Sequence, residues 1–256
     1  MRRQDELLGG RARVRERYAL IPLEGVPLSR LPEWPGARAQ VLASPALGAG
    51  FVQYRIEMDA GGAAAHPADG EIEHFLYVMD GKASLSFEGG TGADSGAVSL
   101  GAGGYALVPP SSGYSLSAEE DSTVLLLRKR YEPLPGTDAF APLTGNQADV
   151  PGETYMGDPG ALLQSLVPDD LAYDMAMNIF TFQTGHSLPV TETHVMEHGL
   201  VVLQGKGVYY LDDSWMEVEE SDFIWMGPYC PQSYYAAGPV PSRYIYYKNV
   251  NREIPL

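Results

Sequence analysis

The sequence predicts an all-β protein made of two tandem copies of one small barrel. Three observations carry this. Strand-like runs recur along the chain, separated by turn residues at short, regular spacing. The 256 residues include 29 Gly and 20 Pro, against an ordinary share of about 12% for the two together, and the 16 Tyr beside them favour strands. The same features also appear in the same order in both halves.

The elements follow in chain order. Phe51–Met58 (FVQYRIEM) is rich in β formers, and residues 74–79 (HFLYVM) form an apolar run closed by the turn pair Asp80-Gly81. Residues 83–87 (ASLSF) alternate with period two, and 123–127 form another apolar run, ended by Arg128, Lys129 and Arg130. Residues 132–153, rich in Pro, Gly and Asp, read as a domain linker. Residues 158–167 (DPGALLQSLV) read as a short helix, with Asp158 as N-cap and Pro159 in the first helical position. Strands resume at Met175–Phe182, 199–203, 208–211, Phe223–Met226 and 243–247.

The repeat is visible in the residues themselves. HFLYVMDG at 74–81 matches HGLVVLQG at 198–205, an offset of 124. Pro109-Pro110 has its partner in Gly227-Pro228, and LLLR at 125–128 has its partner in YIYYK at 244–248.

The formal net charge of −16 argues against nucleic acid and anionic membrane surfaces as partners. A hydrophobic content of 45% supplies a core, and no apolar run approaches the roughly 20 residues that span a bilayer. Cys230 is the single cysteine, so no intrachain disulfide is possible. With no signal-type apolar stretch in the first residues, a cytoplasmic location is expected. The arginines at 11, 13, 15 and 17 read as a solvated arm or a subunit contact.

Chemistry concentrates in TETHVMEH, residues 191–198, which holds two of the five histidines. Glu192, His194 and His198 share parity, so on extended chain they point to one face. Two imidazoles and a carboxylate suit a divalent first-row metal, and no thiolate favours structural zinc. Glu197, of opposite parity, reads as structural. His186 reads as loop and Cys230 as a buried thiol, while His66, His74 and Glu71 are a candidate residual second site.

The spacing Glu-x-His-x3-His-x6-Gly, at 192–205, resembles the first cupin motif with its first His and its Glu exchanged. The second cupin motif, laid on SDFIWMGPYCPQ at 221–232, puts its His position on Gln232. In the first half Glu71, Glu73, His74 and Tyr114 lie near the motif and the paired ligands are absent, which leaves one site, in the second half. Longer motifs at 192–199, 205–212 and 244–252, and weaker ones at 47–52 and 71–78, resemble the (S)-ureidoglycine aminohydrolase family, bicupins of purine catabolism, from about residue 40 onward.

That resemblance implies a bicupin of two tandem cupin (double-stranded β-helix, or jelly-roll) barrels. Residues 1–140 would form a metal-free barrel and 141–256 the barrel with the active site. It implies one Mn2+ per chain, held by Glu192, His194, His198 and Gln232, in an enzyme that releases ammonia from (S)-ureidoglycine to give (S)-ureidoglycolate in allantoin degradation. Tyr209, Tyr244 and Glu192 would contact this small anionic substrate, and Lys248 would serve as acid and base. A homo-oligomer is expected on architectural analogy. Ser221, where relatives carry Gly, marks one turn as unusual. Two other activities share these ligands: an Fe(II) cupin dioxygenase, which needs no inward lysine, and a non-catalytic cupin that binds a small acid.

Overall fold

β-branched and aromatic runs between Gly, Pro and Asp leave this chain little to form except strands. The computed structural model describes residues 10–88, 96–250 and 252, so Asn251 of the C-terminal motif lies outside the described residues. Among the described residues there are strands and short 3-10 turns, and no α-helix.

In chain order the strands are β1 (Arg13–Val14), β2 (Tyr18–Ile21), β3 (Ala37–Ala43), β4 (Phe51–Met58), β5 (Ala63–His66), β6 (Ile72–Asp80) and β7 (Lys82–Phe87). Then come β8 (Val98–Gly101), β9 (Gly104–Val108), β10 (Tyr114–Ala118), β11 (Ser122–Arg130), β12 (Leu143–Asn146), β13 (Glu153–Tyr155) and β14 (Asp158–Ser165). The last are β15 (Met175–Phe182), β16 (His198–Gln204), β17 (Lys206–Leu211), β18 (Ser214–Glu219), β19 (Phe223–Met226), β20 (Gln232–Ala236) and β21 (Ser242–Asn249).

They divide into two units, each with two sheets. One unit is built from Pro27–Pro151 and Gln164–Ala176. Its six-stranded sheet runs β12-β9-β6-β11-β4-β3 and its four-stranded sheet β5-β10-β7-β8. The core lies between them: Leu76, Val78, Val124 and Leu126 from the larger sheet meet Ala64, Ala83, Leu85 and Leu116 from the smaller. The other unit is built from Gly152–Leu163, Met177–Lys248 and the described part of Met1–Val26. Its eight-stranded sheet runs β1-β2-β19-β16-β21-β15-β14-β13, and β18-β17-β20 form the second sheet. Phe182, Leu200, Val202 and Ile224 pack there against Leu211, Val218 and Tyr234.

The sequence left open whether N-terminal strands cross to the second half. They do: Ala19 and Leu20 of β2 pair with Trp225 and Ile224 of β19. Two of the four N-terminal arginines anchor this crossing rather than waving in solvent. Arg11 forms ion pairs with the buried Asp222 and with Glu219, and Arg17 pairs with Asp212.

The glycines that turn the chain from one sheet to the other in each repeat are required by geometry. Gly81 and Gly205 have φ of 80° and 74°. A Cβ would stand 2.4 Å from the Asp121 carbonyl oxygen at the first and 2.8 Å from the Pro241 carbonyl oxygen at the second.

Two expectations are corrected. Residues 158–167 are not a helix: Asp158–Ser165 is strand β14. The Asp158 carboxylate does bind the Gly160 amide at 2.8 Å, as an N-cap would. Beyond that point Leu162 and Leu163 pair with Thr154 and Glu153, and Gln183 N–H donates to the Gly160 carbonyl. A helix this short is marginal on its own, so sheet pairing outweighs the local signal. Residues 132–153 are likewise more than a linker. Leu143–Asn146 completes the six-stranded sheet against β9, and the buried Phe140 packs edge-on against Tyr131 and at a tilt against Tyr173.

One buried charge cluster sits in the first-described unit. Lys129 Nζ donates to Glu73 at 3.1 Å and also to Asp174. Burial opposes the lysine's charge, and the two carboxylates overcome it and raise its pKa. Burial and the neighbouring Asp174 push Glu73 well above the usual carboxylate range.

Ser221 keeps the turn expected of glycine, at φ 74°, with its N–H donated to the Val202 carbonyl at 2.8 Å. A non-glycine residue in this region is strained. Ser221→Gly is therefore expected to stabilise the protein by about 0.5–1 kcal/mol, read as a higher urea midpoint at unchanged slope.

Candidate active site

The site is set by how β16 lies between its neighbours. His198 opens β16 and stands opposite Met226 of β19 on one side and Lys248 of β21 on the other. Two steps along, Leu200 faces Tyr246, and Val202 faces Tyr244. Residues directly opposite share a face, so Tyr244, Tyr246 and Lys248 turn to the same side as His198. With Tyr155, Phe180, Glu192, His194, Tyr209 and Gln232 they line a cavity of about 140 Å³.

The expected convergence of Glu192, His194 and His198 rested on an extended strand, and the structure reaches it by another route. Strand β16 begins only at His198. Glu192 is placed by a two-hydrogen-bond bridge to Gln232, at 2.8 and 2.9 Å. His194 is tied by its carbonyl, which accepts from Tyr229 N–H at 2.7 Å.

The side chains then meet. His198 Nδ1 lies 3.0 Å from the Tyr247 carbonyl, so Nδ1 carries the proton and Nε2 presents a lone pair to the cavity. That Nε2 is 3.2 Å from His194 Nε2, which is 3.1 Å from the Gln232 amide. Tyr209 OH donates to the same amide at 3.1 Å. Glu192 lines the cavity, with Oε1 accepting from Tyr155 OH at 2.5 Å. Among the described residues no three His, Cys, Asp or Glu side chains form a ready metal cluster; the donors in contact are His194, His198 and Gln232.

Charge in the cavity follows from burial. Burial, reinforced by the nearby His194 ring and then by Lys248, pushes the His198 imidazole down to about 3. Burial also raises the phenols of Tyr209 and Tyr244 well above their usual range, so both stay protonated. Tyr155 is raised by burial and by its bond to Glu192.

Tyr155 and Tyr246 went unnoticed in the sequence. Tyr246 has the parity of Tyr244 and Lys248, so alternation was a usable signal. Tyr155 had none, because it precedes the segment read as a helix. Three other residues lie outside the cavity lining. Glu197 accepts from Trp225 Nε1 at 3.4 Å. His186 pairs with Asp158 at 2.9 Å. The Cys230 thiol is buried, and burial pushes it up to about 11.

The fold is that of the cupins. A cupin conserved-barrel protein from Leptotrichia buccalis superposes with a TM-score of 0.61 at 16% identity, over 90% of this chain and 96% of that one. No family model matches the chain. The (S)-ureidoglycine aminohydrolase of Escherichia coli is 36% identical over 260 residues, covering 99% of this chain and 96% of that protein. The crystal structure of the Escherichia coli protein Ylba superposes with a TM-score of 0.83 at 32% identity over the whole of both chains. The chain belongs to the (S)-ureidoglycine aminohydrolase family.

Burial holds three imidazoles neutral: His198 and His74 at about 3, and His66 at about 4. A depressed folded-state pKa gives stability that is complete above the unfolded value of about 6.5 and is lost as pH falls toward 4 and 3. For metal-free protein, urea unfolding should show stability dropping below pH 6.5 by about 1.4 kcal/mol per pH unit for each such group. His74→Phe should reduce that slope by one proton.

Proposed function

We propose that the protein is an (S)-ureidoglycine aminohydrolase, a hydrolase that releases ammonia from (S)-ureidoglycine to give (S)-ureidoglycolate. Family membership over the whole chain supports the reaction. The observation that carries it to this cavity is Lys248, opposite His198 in register and beside a cluster of nitrogen and oxygen donors. We also read each of the two units as one cupin barrel, and the enzyme as a cytoplasmic homo-oligomer.

The donor set suits a divalent cation. Donors at about 2.1–2.2 Å from an ion and at right angles stand about 3 Å apart, close to the 3.1 and 3.2 Å separations around His194 Nε2. The lone pair of His198 Nε2 is directed at His194 Nε2, where it could serve as a metal donor. His194, His198 and Gln232 would hold the ion, with the amide turned to present its oxygen and Glu192 as fourth ligand. Mn2+ bound there would supply Lewis-acid charge that orients the substrate's carboxylate and α-amine.

The chain's own groups then account for the proton traffic. Loss of ammonia from ureidoglycine breaks the bond from the α-carbon to the amine and leaves an N-acyliminium, the electrons coming from the ureido nitrogen, which keeps its own proton. Lys248, as ammonium, gives the leaving amine its proton. The resulting neutral lysine takes a proton from the water that adds to the same carbon, so the cycle closes with one water consumed and one ammonia released. Tyr209 and Tyr244, protonated and buried, donate hydrogen bonds to substrate oxygens. Phe180, Leu188 and Leu200 help wall the cavity from bulk water.

The test is ammonia release from (S)-ureidoglycine, generated in place from allantoate by its amidohydrolase, on metal-stripped protein with and without Mn2+. Mn2+-restored release above the spontaneous rate, without oxygen, is expected. Release no faster than the spontaneous rate by metal-loaded protein would overturn the assignment. Lys248→Met should lower kcat by about 10²–10⁴-fold with Mn2+ still bound. Tyr155→Phe, which frees the Glu192 carboxylate, should weaken Mn2+ retention about tenfold or more, measured by competition with a chelator while circular dichroism stays unchanged.

A further inference from the structure

Four phenols line the candidate active site, and their hydrogen bonds are not alike. Tyr155 OH donates to Glu192 Oε1 at 2.5 Å, and Tyr209 OH donates to the Gln232 amide at 3.1 Å. Tyr246 is held the other way round. Asn178 Nδ2 donates to the Tyr246 hydroxyl at 3.2 Å, so the phenol oxygen is the acceptor and keeps a proton of its own to give. Among the described residues nothing accepts that proton. Glu192 is close enough for its charge to act on the Tyr246 phenol, yet it takes its hydrogen bond from Tyr155.

The placement of this pair follows from strand alternation. Tyr246 lies between Tyr244 and Lys248 on β21, two residues from each, and stands opposite Leu200 of β16. Its Cα is therefore one strand repeat, about 7 Å, from that of Lys248 on the same face. Three rings fix the phenol. It lies nearly parallel to Phe180 at 5.7 Å, edge-on to His198 at 5.4 Å and tilted against Tyr244 at 5.9 Å. Asn178 comes from β15, the neighbour of β21 in the sheet, where it shares parity with the core residues Phe180 and Phe182. It is only 4% exposed and does not itself line the cavity. A buried amide without a partner is costly, and this one finds its partner in the phenol.

We propose that Tyr246 is a substrate-binding residue that donates its hydrogen bond to the ureido carbonyl of (S)-ureidoglycine, and that Asn178 is the positioning residue that aims it. The proposal rests on the reaction assigned above for the identity of its substrate. In that reaction the carboxylate and the α-amine face the donor cluster, Tyr209, Tyr244 and Lys248, and the ureido carbonyl is the oxygen that still needs a donor. The ureido nitrogen supplies the electrons that expel ammonia, and a hydrogen bond to the carbonyl draws those electrons the other way. The contact therefore does not favour the transition state over bound substrate, and its effect falls on KM. Lys248 acts in the opposite sense, on kcat.

The test uses the full-length, Mn2+-loaded protein and two stable probes: (S)-ureidoglycolate, which carries the ureido carbonyl, and glycolate, which lacks the ureido group. In Tyr246→Phe, KM for (S)-ureidoglycine should rise about five- to tenfold with kcat no lower. Calorimetric titration should show the ureidoglycolate Kd weakened by a similar factor and the glycolate Kd unchanged, which also verifies that the variant's site is folded. Asn178→Ala should weaken ureidoglycolate binding less, and should add nothing in the Tyr246→Phe background. Unchanged KM and ureidoglycolate Kd in Tyr246→Phe, an equal weakening of glycolate, a loss confined to kcat, or additive effects of the two substitutions would overturn the proposal, as would wild-type protein that binds ureidoglycolate no better than glycolate. Wild-type protein that binds ureidoglycolate through Tyr246 and releases no ammonia would support this contact and overturn the reaction assigned above.

Discussion

Everything at the active site depends on the register of β16 between β19 and β21. That register puts His198 beside Lys248 and keeps Leu200 and Val202 opposite Tyr246 and Tyr244. A slip by one residue would turn all of these side chains to the other face. The turn at Gly205, which takes the chain from β16 to β17 in the other sheet, limits it, because a Cβ there would meet the Pro241 carbonyl. β2 reinforces it from the far side by pairing with β19, which Arg11 holds in place through Asp222.

The same scaffold carries two different electrostatic designs. In both units a histidine on the equivalent strand faces a basic residue across the ladder. What differs is the partner of the ring's Nδ1: a backbone carbonyl in one case, a tyrosine hydroxyl in the other. The fold supplies position and the local hydrogen bond supplies chemistry.

Burial is the second common factor. The tyrosines around the candidate active site remain protonated donors because ionising them in a dry cavity is costly. The His198 imidazole remains neutral for the same reason. Glu192 escapes isolation through Tyr155, whose hydroxyl occupies one carboxylate oxygen and fixes the side chain at the cavity wall. A dry site with fixed donors suits a reaction whose substrate is a small, charged and labile molecule.

Much of this was legible in the amino-acid order. Alternation and turn residues located β4, β15 and β19 to the residue, and the repeat of 74–81 at 198–205 marked two equivalent units. Parity suggested a shared face for Glu192, His194 and His198, and the resemblance to the second cupin motif pointed to Gln232; the structure brings these residues to one cavity through the Glu192–Gln232 bridge rather than through an extended strand. Tertiary structure alone decided the rest. A capped, proline-led segment at 158–165 became a strand because β13 offered it a ladder. Residues 18–21 left their own half to pair with β19. Tyr155 reached Glu192 across 37 positions. Each of these is a pairing between distant segments, whose energy depends on which backbone groups and apolar faces meet after folding, and no local pattern of residues encodes that meeting.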